Sequence, residues 1–257
     1  MFIDSHCHLD CIELNDYNDN LSELMAEVEA NGVEHMLCVC IDLFEFDKMY
    51  DAVKGFSQVS VSAGMHPTHA VGDALSVDTL LDYVKRKEVV AVGETGLDYF
   101  YQKDKPEWQK QRFRHHITAA KAVNKPVIVH TRDAAEDTLR IIKEESAKDC
   151  GGVIHCFTED WAFAKAALEQ NFYISFSGIT TFKTAEQIRE VARKMPVDRI
   201  LIETDSPYLA PVPKRGKQNQ PDYVRFVADC IASERNMSVE EVAAISKTNF
   251  YNFLNNQ

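Results

Sequence analysis

The sequence lacks the features that mark several classes of protein. Its longest apolar runs, such as residues 89–92 and 127–129, are far too short to span a membrane. Asp4 stands where a signal peptide would carry basic and then apolar residues. The seven cysteines are odd in number and form no CxxC pair, so we do not expect a secreted disulfide framework. We expect a cytoplasmic protein with reduced thiols.

Positive charge is also scarce, since 28 Lys and Arg face 40 Asp and Glu and give a net charge of −12. This balance argues against a broad basic face that would coat a polyanion, although it is compatible with a local phosphate site. No Gly/Ser-rich linker, repeat or glycine-rich nucleotide fingerprint interrupts the chain. We therefore predict a single domain over residues 1–257.

Short apolar runs alternate with helical patterns along the whole chain. Continuous runs of this kind are typical of strands that are buried on both faces of a parallel sheet. Strands that alternate with helices over about 250 residues predict an α/β protein with a (β/α)8 TIM barrel. An open doubly wound sheet is the alternative, but it would need a nucleotide fingerprint at its first turn. The predicted strands are residues 2–6, 36–41, 59–64, 89–94, 127–130, 153–155, 172–175 and 200–205.

Residues that can bind a metal stand at the carboxyl ends of five predicted strands. In a barrel these ends converge on one mouth, where active sites are built. A charged group buried at the end of a core strand is unfavourable unless it is paired or bound to a metal, so the set predicts a metal centre. Its predicted ligands are His6, His8, Glu94, His130, His155 and Asp205.

The number of ligands suits two divalent cations. The two histidines of the first strand alternate, so they can hold one ion together with Asp205. His130 and His155 would hold the other ion, and Glu94 would bridge the pair. Zn²⁺, Mn²⁺, Fe²⁺ and Co²⁺ suit imidazole and carboxylate ligands, and Mg²⁺ is a further candidate. Two such ions can lower the pKa of a shared water and hold the attacking and leaving oxygens of a displacement.

Three carboxylates are predicted to act in catalysis, namely Glu94, Glu203 and Asp205. We expect Asp205 to take the proton of the attacking water. Glu203 lies two residues earlier on the same strand face, so it is a candidate base or additional ligand. Its pairing with Arg132 or a lysine is an equally good interpretation.

Other side chains near the predicted mouth suit an anionic substrate. His66 ends the third strand. Arg132 lies two residues past His130 on the same strand, so it faces the same way, and its planar guanidinium can form paired hydrogen bonds with a phosphate or a carboxylate. The basic cluster at residues 214–217 is expected to contact substrate through Arg215 and Lys217, with a solvated loop as the alternative.

The aromatic residues 99–101 suit stacking on a nucleobase, although any planar group could take that place.

Some further cysteine and histidine residues are not assigned to the site. Strand alternation predicts that Cys156 points away from the ligands. His69 lies in a loop, and His116 lies in a helix with no residue predicted to converge on it.

Longer motifs occur at the predicted strand ends: SHCHLD (5–10), GMHP (64–67), GETGLDY (93–99), KPVIVHTR (125–132), GVIHCF (152–157), ETDSPYL (203–209), LAP (209–211) and RGKQNQP (215–221). Together they resemble the motifs of the TatD family of metal-dependent hydrolases, and most closely those of its YcfH-type branch. The resemblance covers essentially the whole chain. It implies an amidohydrolase-type barrel with a divalent-metal centre on the same six residues, and deoxyribonuclease activity that is a 3′→5′ exonuclease in some members.

The sequence as a whole is interpreted as a metal-dependent phosphodiester hydrolase that acts on DNA. Because the chain is acidic, we expect a short footprint at a strand end, and we expect a monomer with no membrane and no obligate protein partner. A second interpretation keeps the site but hydrolyses an amide, a lactone or an aminoacyl ester; it predicts a compact pocket and no loss of activity when Arg215 and Lys217 are neutralised. A third, a non-catalytic metal-binding protein, would require closed coordination.

Overall fold

The computed structural model describes residues 1–69, 75–104 and 106–255, and these residues contain an eight-stranded parallel sheet whose strands lie in sequence order. The last strand returns to the first, because Cys7 bridges to Ser206 and the N–H of Asp205 donates to the carbonyl of His6. The sheet is therefore a nearly closed TIM barrel, and the predicted fold class is confirmed. The strands are Phe2–Cys7 (β1), Val33–Cys38 (β2), Val59–Ala63 (β3), Val89–Asp98 (β4), Val127–Arg132 (β5), Gly152–Ile154 (β6), Phe172–Phe176 (β7) and Ile200–Ile202 (β8).

Helices connect successive strands and pack on the outside of the barrel. The final helix begins at a capping box in which Ser238 and Glu241 satisfy each other's backbone N–H groups. No helix within the described ranges is long and apolar enough to cross a membrane. The helices are Leu21–Ala30 (α1), Phe46–Val53 (α2), Val77–Val84 (α3), Glu107–Val123 (α4), Ala135–Glu144 (α5), Trp161–Leu168 (α6), Glu186–Lys194 (α7), Val224–Arg235 (α8) and Val239–Leu254 (α9).

The barrel core has two parts. A larger apolar layer lies between the strands and the surrounding helices. A smaller cluster joins inward-pointing strand residues with Phe250 and Phe253 of α9, which cover the amino-terminal end of the barrel. The carboxyl end is left for polar groups. The inner cluster contains the strand residues Ile3, Leu37, Ala91, Ile128, Val153, Tyr173 and Leu201, together with Val39, which directly follows β2.

The strand ends differ from the prediction where they carry the site. β8 ends at Ile202, so Glu203 and Asp205 follow the strand instead of sharing its face. β4 continues four residues past Glu94. It can do so beside β5 because Gly96 has no side chain: a Cβ there would lie 2.0 Å from the carbonyl oxygen of His130.

Candidate active site

Glu94 is buried at the centre of the barrel mouth, and its two carboxylate oxygens face different histidines. Oε1 lies 2.8 Å from Nε2 of His155 and 3.2 Å from Nδ1 of His130. Oε2 lies 3.4 Å from Nε2 of His6 and 3.9 Å from Nε2 of His8. One carboxylate thus lies between two pairs of imidazoles, as a ligand that bridges two cations would. These residues and Asp205 are called the Glu94 cluster.

Asp205 closes the cluster on the β1 side. Its Oδ1 lies 3.4 Å from Nε2 of His8 and 3.6 Å from Nε2 of His6. The residue has a φ of 58°, in the left-handed region that aspartate tolerates better than most residues, and this turn follows directly after β8. Two imidazoles and a carboxylate therefore converge on one point, which is a donor set suited to a transition metal.

The outer ring nitrogens of two histidines are held by acceptors. Nδ1 of His8 lies 2.8 Å from the carbonyl oxygen of Val39, and Nε2 of His130 lies 3.2 Å from Oδ2 of Asp98. Because a carbonyl or carboxylate oxygen accepts, the ring nitrogen next to it carries the hydrogen. The nitrogens that face Glu94 are then free to offer their lone pairs, and contacts of this kind orient the histidines of metal sites.

Glu203 holds His155 in the same way. Its Oε1 lies 3.3 Å from Nδ1 of His155 and accepts a 2.7 Å hydrogen bond from the N–H of Cys156. Oε2 of Glu203 and Nδ1 of His6 are buried without a hydrogen-bond partner among the described residues. Glu203 therefore lies behind His155, and within the described residues it pairs with neither Arg132 nor a lysine. Its carboxylate also forms, with His6 and His155, a group that could hold a metal ion, as the prediction of an additional ligand requires.

The donor set fits divalent cations. The inner nitrogens of His6 and His8 are 3.3 Å apart, and those of His130 and His155 are 3.4 Å apart. Two lone pairs at that separation repel each other unless a positive charge lies between them, so each pair needs a shared cation or proton. The residues present can therefore hold two ions, with Glu94 between them.

The electrostatics of the cluster favour positive charge. Burial acts to raise the pKa of Glu94, but the imidazoles of His155 and His66 outweigh it and hold that pKa well below its usual value. Burial likewise acts to lower the pKa of His8, but Asp205 and Glu94 raise it to about 9. The carboxylates thus keep their charge in a buried site and attract cations to it.

His66 differs from the other histidines near Glu94. Its Nδ1 accepts a 3.2 Å hydrogen bond from the backbone N–H of Thr68, so its hydrogen lies on Nε2. That Nε2 is 3.3 Å from Oε1 of Glu94. His66 therefore presents an N–H group to the mouth, which suits it to donate to a substrate oxygen. In the other tautomer, its ring together with Glu94 and His130 would form a group that could hold a metal ion.

The loop that carries His66 is held by α4. The buried guanidinium of Arg112 donates to the carbonyls of Pro67 at 2.9 Å and of His66 at 3.2 Å. The buried ring of His116 accepts a 3.1 Å hydrogen bond from the N–H of Met65. These contacts fix the backbone on both sides of His66.

A cavity of about 660 Å³ opens above the cluster. Its walls include Arg132, Tyr101 and Tyr208. The guanidinium of Arg132 packs 3.9 Å from the centroid of the Phe100 ring. The cavity is large enough for a small substrate or for the end of a longer chain.

Comparison with known proteins identifies the family. Residues 3–255 match the family described as TatD related DNase. The chain belongs to the TatD family. It is 48% identical over 248 residues to the "Uncharacterized metal-dependent hydrolase YcfH" of Escherichia coli strain K12, which covers 96% of this chain and 93% of that protein. The match confirms the family indicated by the sequence motifs.

Two further similarities extend the comparison. The crystal structure of YJJV, a TatD homologue from Escherichia coli K12, superposes with a TM-score of 0.90 at 25% identity and covers 99% of this chain and 98% of that one. A protein of Escherichia fergusonii named "3'-5' ssDNA/RNA exonuclease TatD" is 29% identical over 233 residues, covering 88% of this chain and 90% of that protein. This TatD chain is therefore an enzyme of the metal-dependent hydrolase class.

The structure brings most of the predicted site residues of this TatD chain to one place. The six predicted ligands form the Glu94 cluster, and His66 and Arg132 line the cavity beside it. Arg215 and Lys217 are not among the described residues that line the cavity. The guanidinium of Arg215 packs instead 4.1 Å from the centroid of the Phe182 ring.

Three residues that were given no role from the sequence lie beside the TatD site or hold a residue of it. Cys156 has a φ of 44°, so the strand alternation used to predict its direction does not apply to it; the residue is among those that line the cavity, and its Sγ lies 3.2 Å from Oγ of Ser177. His69 also lines the cavity. His116, which had no predicted partner, holds the backbone beside His66 through the N–H of Met65.

Asp98 is the main residue that sequence reasoning missed. It is buried, lines the cavity and holds His130. The signal was its place in the GETGLDY motif, four residues past Glu94. A strand predicted to continue to residue 98 would have brought both carboxylates to the mouth.

Proposed function

We propose that this TatD-family hydrolase cleaves the phosphodiester bonds of DNA from a strand end, with 3′→5′ polarity. One observation supports the proposal most directly: Glu94 turns separate oxygens to two imidazole pairs at the floor of an open cavity. Hydrolysis of a phosphodiester is the displacement for which paired cations are best suited. The Escherichia fergusonii relative named as an ssDNA/RNA exonuclease supports the choice of substrate.

The two divalent cations, when bound, would activate a water and neutralise the charge that develops on the phosphate oxygens. Each protein group then has a separate task. Asp205, the cluster carboxylate nearest to solvent, takes the proton of the attacking water. Glu203 keeps the ring of His155 in place, so its proposed role changes from base to orienting group.

The substrate phosphate is bound on the cavity side of the cluster. The Nε2–H of His66 donates to a non-bridging oxygen, and the fork of Arg132 pairs with a phosphate. Both groups act through charge and hydrogen bonds that are the same for every nucleotide, so we expect little sequence preference. The basic loop at residues 214–217 is left out of this role because it does not line the cavity.

The test is a cleavage assay on DNA labelled at one end, with the purified protein stripped of metal and reloaded with Mn²⁺, Mg²⁺ or Zn²⁺. Wild-type protein releases single nucleotides from the 3′ end, and H130A/H155A protein releases none. If the double variant keeps metal-dependent cleavage of DNA, the assignment is wrong. Metal content and thermal unfolding of the variant show whether it has lost ions without losing its fold.

A second candidate function is hydrolysis of an amide, a lactone or an aminoacyl ester. It is favoured because Arg215 and Lys217 are not among the described residues that line the cavity. A long anionic substrate would gain affinity from cations at the cavity, whereas a compact substrate does not need them. A panel of single-stranded DNA, duplex DNA, RNA and simple esters, tested with the same loaded enzyme, separates the two. Ester hydrolysis more than about tenfold faster than DNA cleavage, a difference of about 1.4 kcal/mol in barrier, selects the second.

A further inference from the structure

The aromatic rings of Phe100 and Tyr101 lie next to the cavity and are exposed to solvent, although large aromatic side chains are usually buried. Tyr101 is 65% exposed and Phe100 is 44% exposed, whereas Tyr99 before them is buried and its hydroxyl donates to Asp137. Exposed aromatic rings beside a cleft offer a face on which a planar group of a ligand can stack. Of the three aromatic residues in this segment, only Tyr101 lines the cavity among the described residues.

The segment that carries these rings is fixed in place. The N–H of Tyr101 donates to Oδ1 of Asp98 at 3.1 Å, and the N–H of Asp98 donates to Oε1 of the buried Gln109 at 3.0 Å. The other carboxylate oxygen of Asp98 contacts His130 of the Glu94 cluster. Asp98 therefore links the exposed rings directly to the floor of the site.

Arg132 supplies a cation at the same place. Its guanidinium carbon lies 3.9 Å from the centroid of Phe100 and 5.3 Å from that of Tyr101. Arg132 helps to lower the pKa of the nearby Asp98 carboxyl by its charge, but it forms no ion pair among the described residues. A guanidinium that stacks on aromatic rings and keeps its fork free is suited to a phosphate.

We propose that Phe100, Tyr101 and Arg132, the aromatic platform, bind one unpaired nucleotide beside the scissile bond. The base stacks on Tyr101, and the adjoining phosphate pairs with Arg132, which Phe100 holds in position. An unpaired base is required because the faces of a base in a duplex are covered by its neighbours. This inference rests on the proposed function and names the part of the site that recognises its substrate.

The test combines a change in the protein with a change in the ligand. The probe is a fluorescent thymidine pentamer, compared with pentamers that carry one abasic sugar at each position near the 3′ end. Dissociation constants are measured in EDTA and KM with Mn²⁺. We expect Y101A to weaken binding of the thymidine pentamer about 5- to 150-fold, the range that corresponds to one stacked base.

At one position near the 3′ end, the abasic sugar should weaken binding to wild-type protein by the same factor as Y101A weakens binding of the intact pentamer. The same abasic sugar should cause no further loss of affinity in Y101A. Y101F, which keeps the ring, restores binding, and Y251A removes an exposed tyrosine of α9 as a matched control. R132A should lower the slope of log Kd against log salt by about 0.7, the value for one phosphate of a single strand. Together these results would assign the base to the tyrosine and the phosphate to the arginine.

The proposal is overturned if each abasic substitution lowers the affinity of Y101A and of wild-type protein by the same factor at every position. It is also overturned if the pentamer does not bind. A pentamer that binds through its base in EDTA but is not cleaved with any of the metals would instead contradict the proposed function and leave the platform intact. Cleavage of the pentamer with no dependence on any base would overturn the platform and leave the proposed function intact.

Discussion

The Glu94 cluster and the aromatic platform lie side by side, yet they are held in different ways. The cluster stands on strands or directly after them, is mostly buried, and has its rings oriented by Val39, Asp98 and Glu203. The platform is largely exposed and depends on one carboxylate beneath it. The barrel thus gives rigid positions to the groups that hold charge, and it leaves the groups that select substrate near the surface. This arrangement is what allows one fold to serve many hydrolytic reactions.

Removal of the bridging carboxylate should have the largest effect. We expect E94Q to lower kcat/KM by about 10³-fold or more, because both imidazole pairs lose the charge between them and the cations supply several kcal/mol of stabilisation. Steady-state kinetics and metal content measure this effect. E203Q, which changes a carboxylate of the same length behind the cluster, should lose less, and an equal loss would contradict the distinction between bridging and orienting groups.

The link between the two regions can be tested at Asp98. D98N should reduce activity or metal affinity by about 10- to 100-fold, the usual effect of losing a partner that orients a metal-binding histidine. It should also raise KM, because the same side chain holds the N–H of Tyr101. D137N is the matched control, since that carboxylate contacts no residue of the Glu94 cluster in the described structure. An effect confined to kcat would show that the two regions are independent.

We expect His116 of α4, which holds the loop of His66, to make the folded protein sensitive to acid. Burial lowers the pKa of His116 to about 3, so the folded state keeps this ring neutral at pH values where the unfolded chain, with a pKa near 6.5, takes up a proton. Its contribution is therefore fully present above about pH 6.5 and is lost at about 1.4 kcal/mol per pH unit as the pH falls towards 3. Urea unfolding between pH 7 and pH 5 measures the slope.

H116Q should show a shallower slope, because glutamine can accept from the N–H of Met65 and does not titrate. H115Q changes the neighbouring histidine and leaves His116 in place, so it should keep the wild-type slope. If H116Q and wild-type protein lose stability equally between pH 7 and pH 5, the acid sensitivity arises elsewhere.

The smallest effect is expected at the basic loop. R215A/K217A should change kcat/KM on a short DNA strand by less than about threefold, whereas R132A should change it more, because only Arg132 lines the cavity. Cleavage of a pentamer and of a longer strand by both variants checks the difference. A larger loss for the loop variant would place the loop on the path of the substrate after all.

The sequence was most informative where the backbone is extended. Apolar runs located the strands, and the parallel barrel then required that the residues ending them, such as His130 and His155, meet at one mouth. Periodicity failed where the strand geometry ends. Cys156 takes a left-handed conformation, so alternation no longer describes where its side chain points.

Contacts between elements that are distant in the sequence could not be predicted from it either. Arg112 holds the loop of His66 from a helix more than forty residues away, and Arg215 packs on Phe182 instead of facing the cavity. Such pairings depend on how loops pack once the barrel has formed, and no local pattern encodes them. Asp98 is an intermediate case, because only the length of β4 had to be known to place it at the mouth.

The central claim is that the two oxygens of Glu94 divide the site between two cations. Crystals grown with Mn²⁺ and measured at its absorption edge test this claim most directly. We predict two anomalous peaks about 3.5–4 Å apart, one on the side of His6 and His8 and one on the side of His130 and His155. A single peak, or two peaks of which one does not contact Glu94, would contradict it.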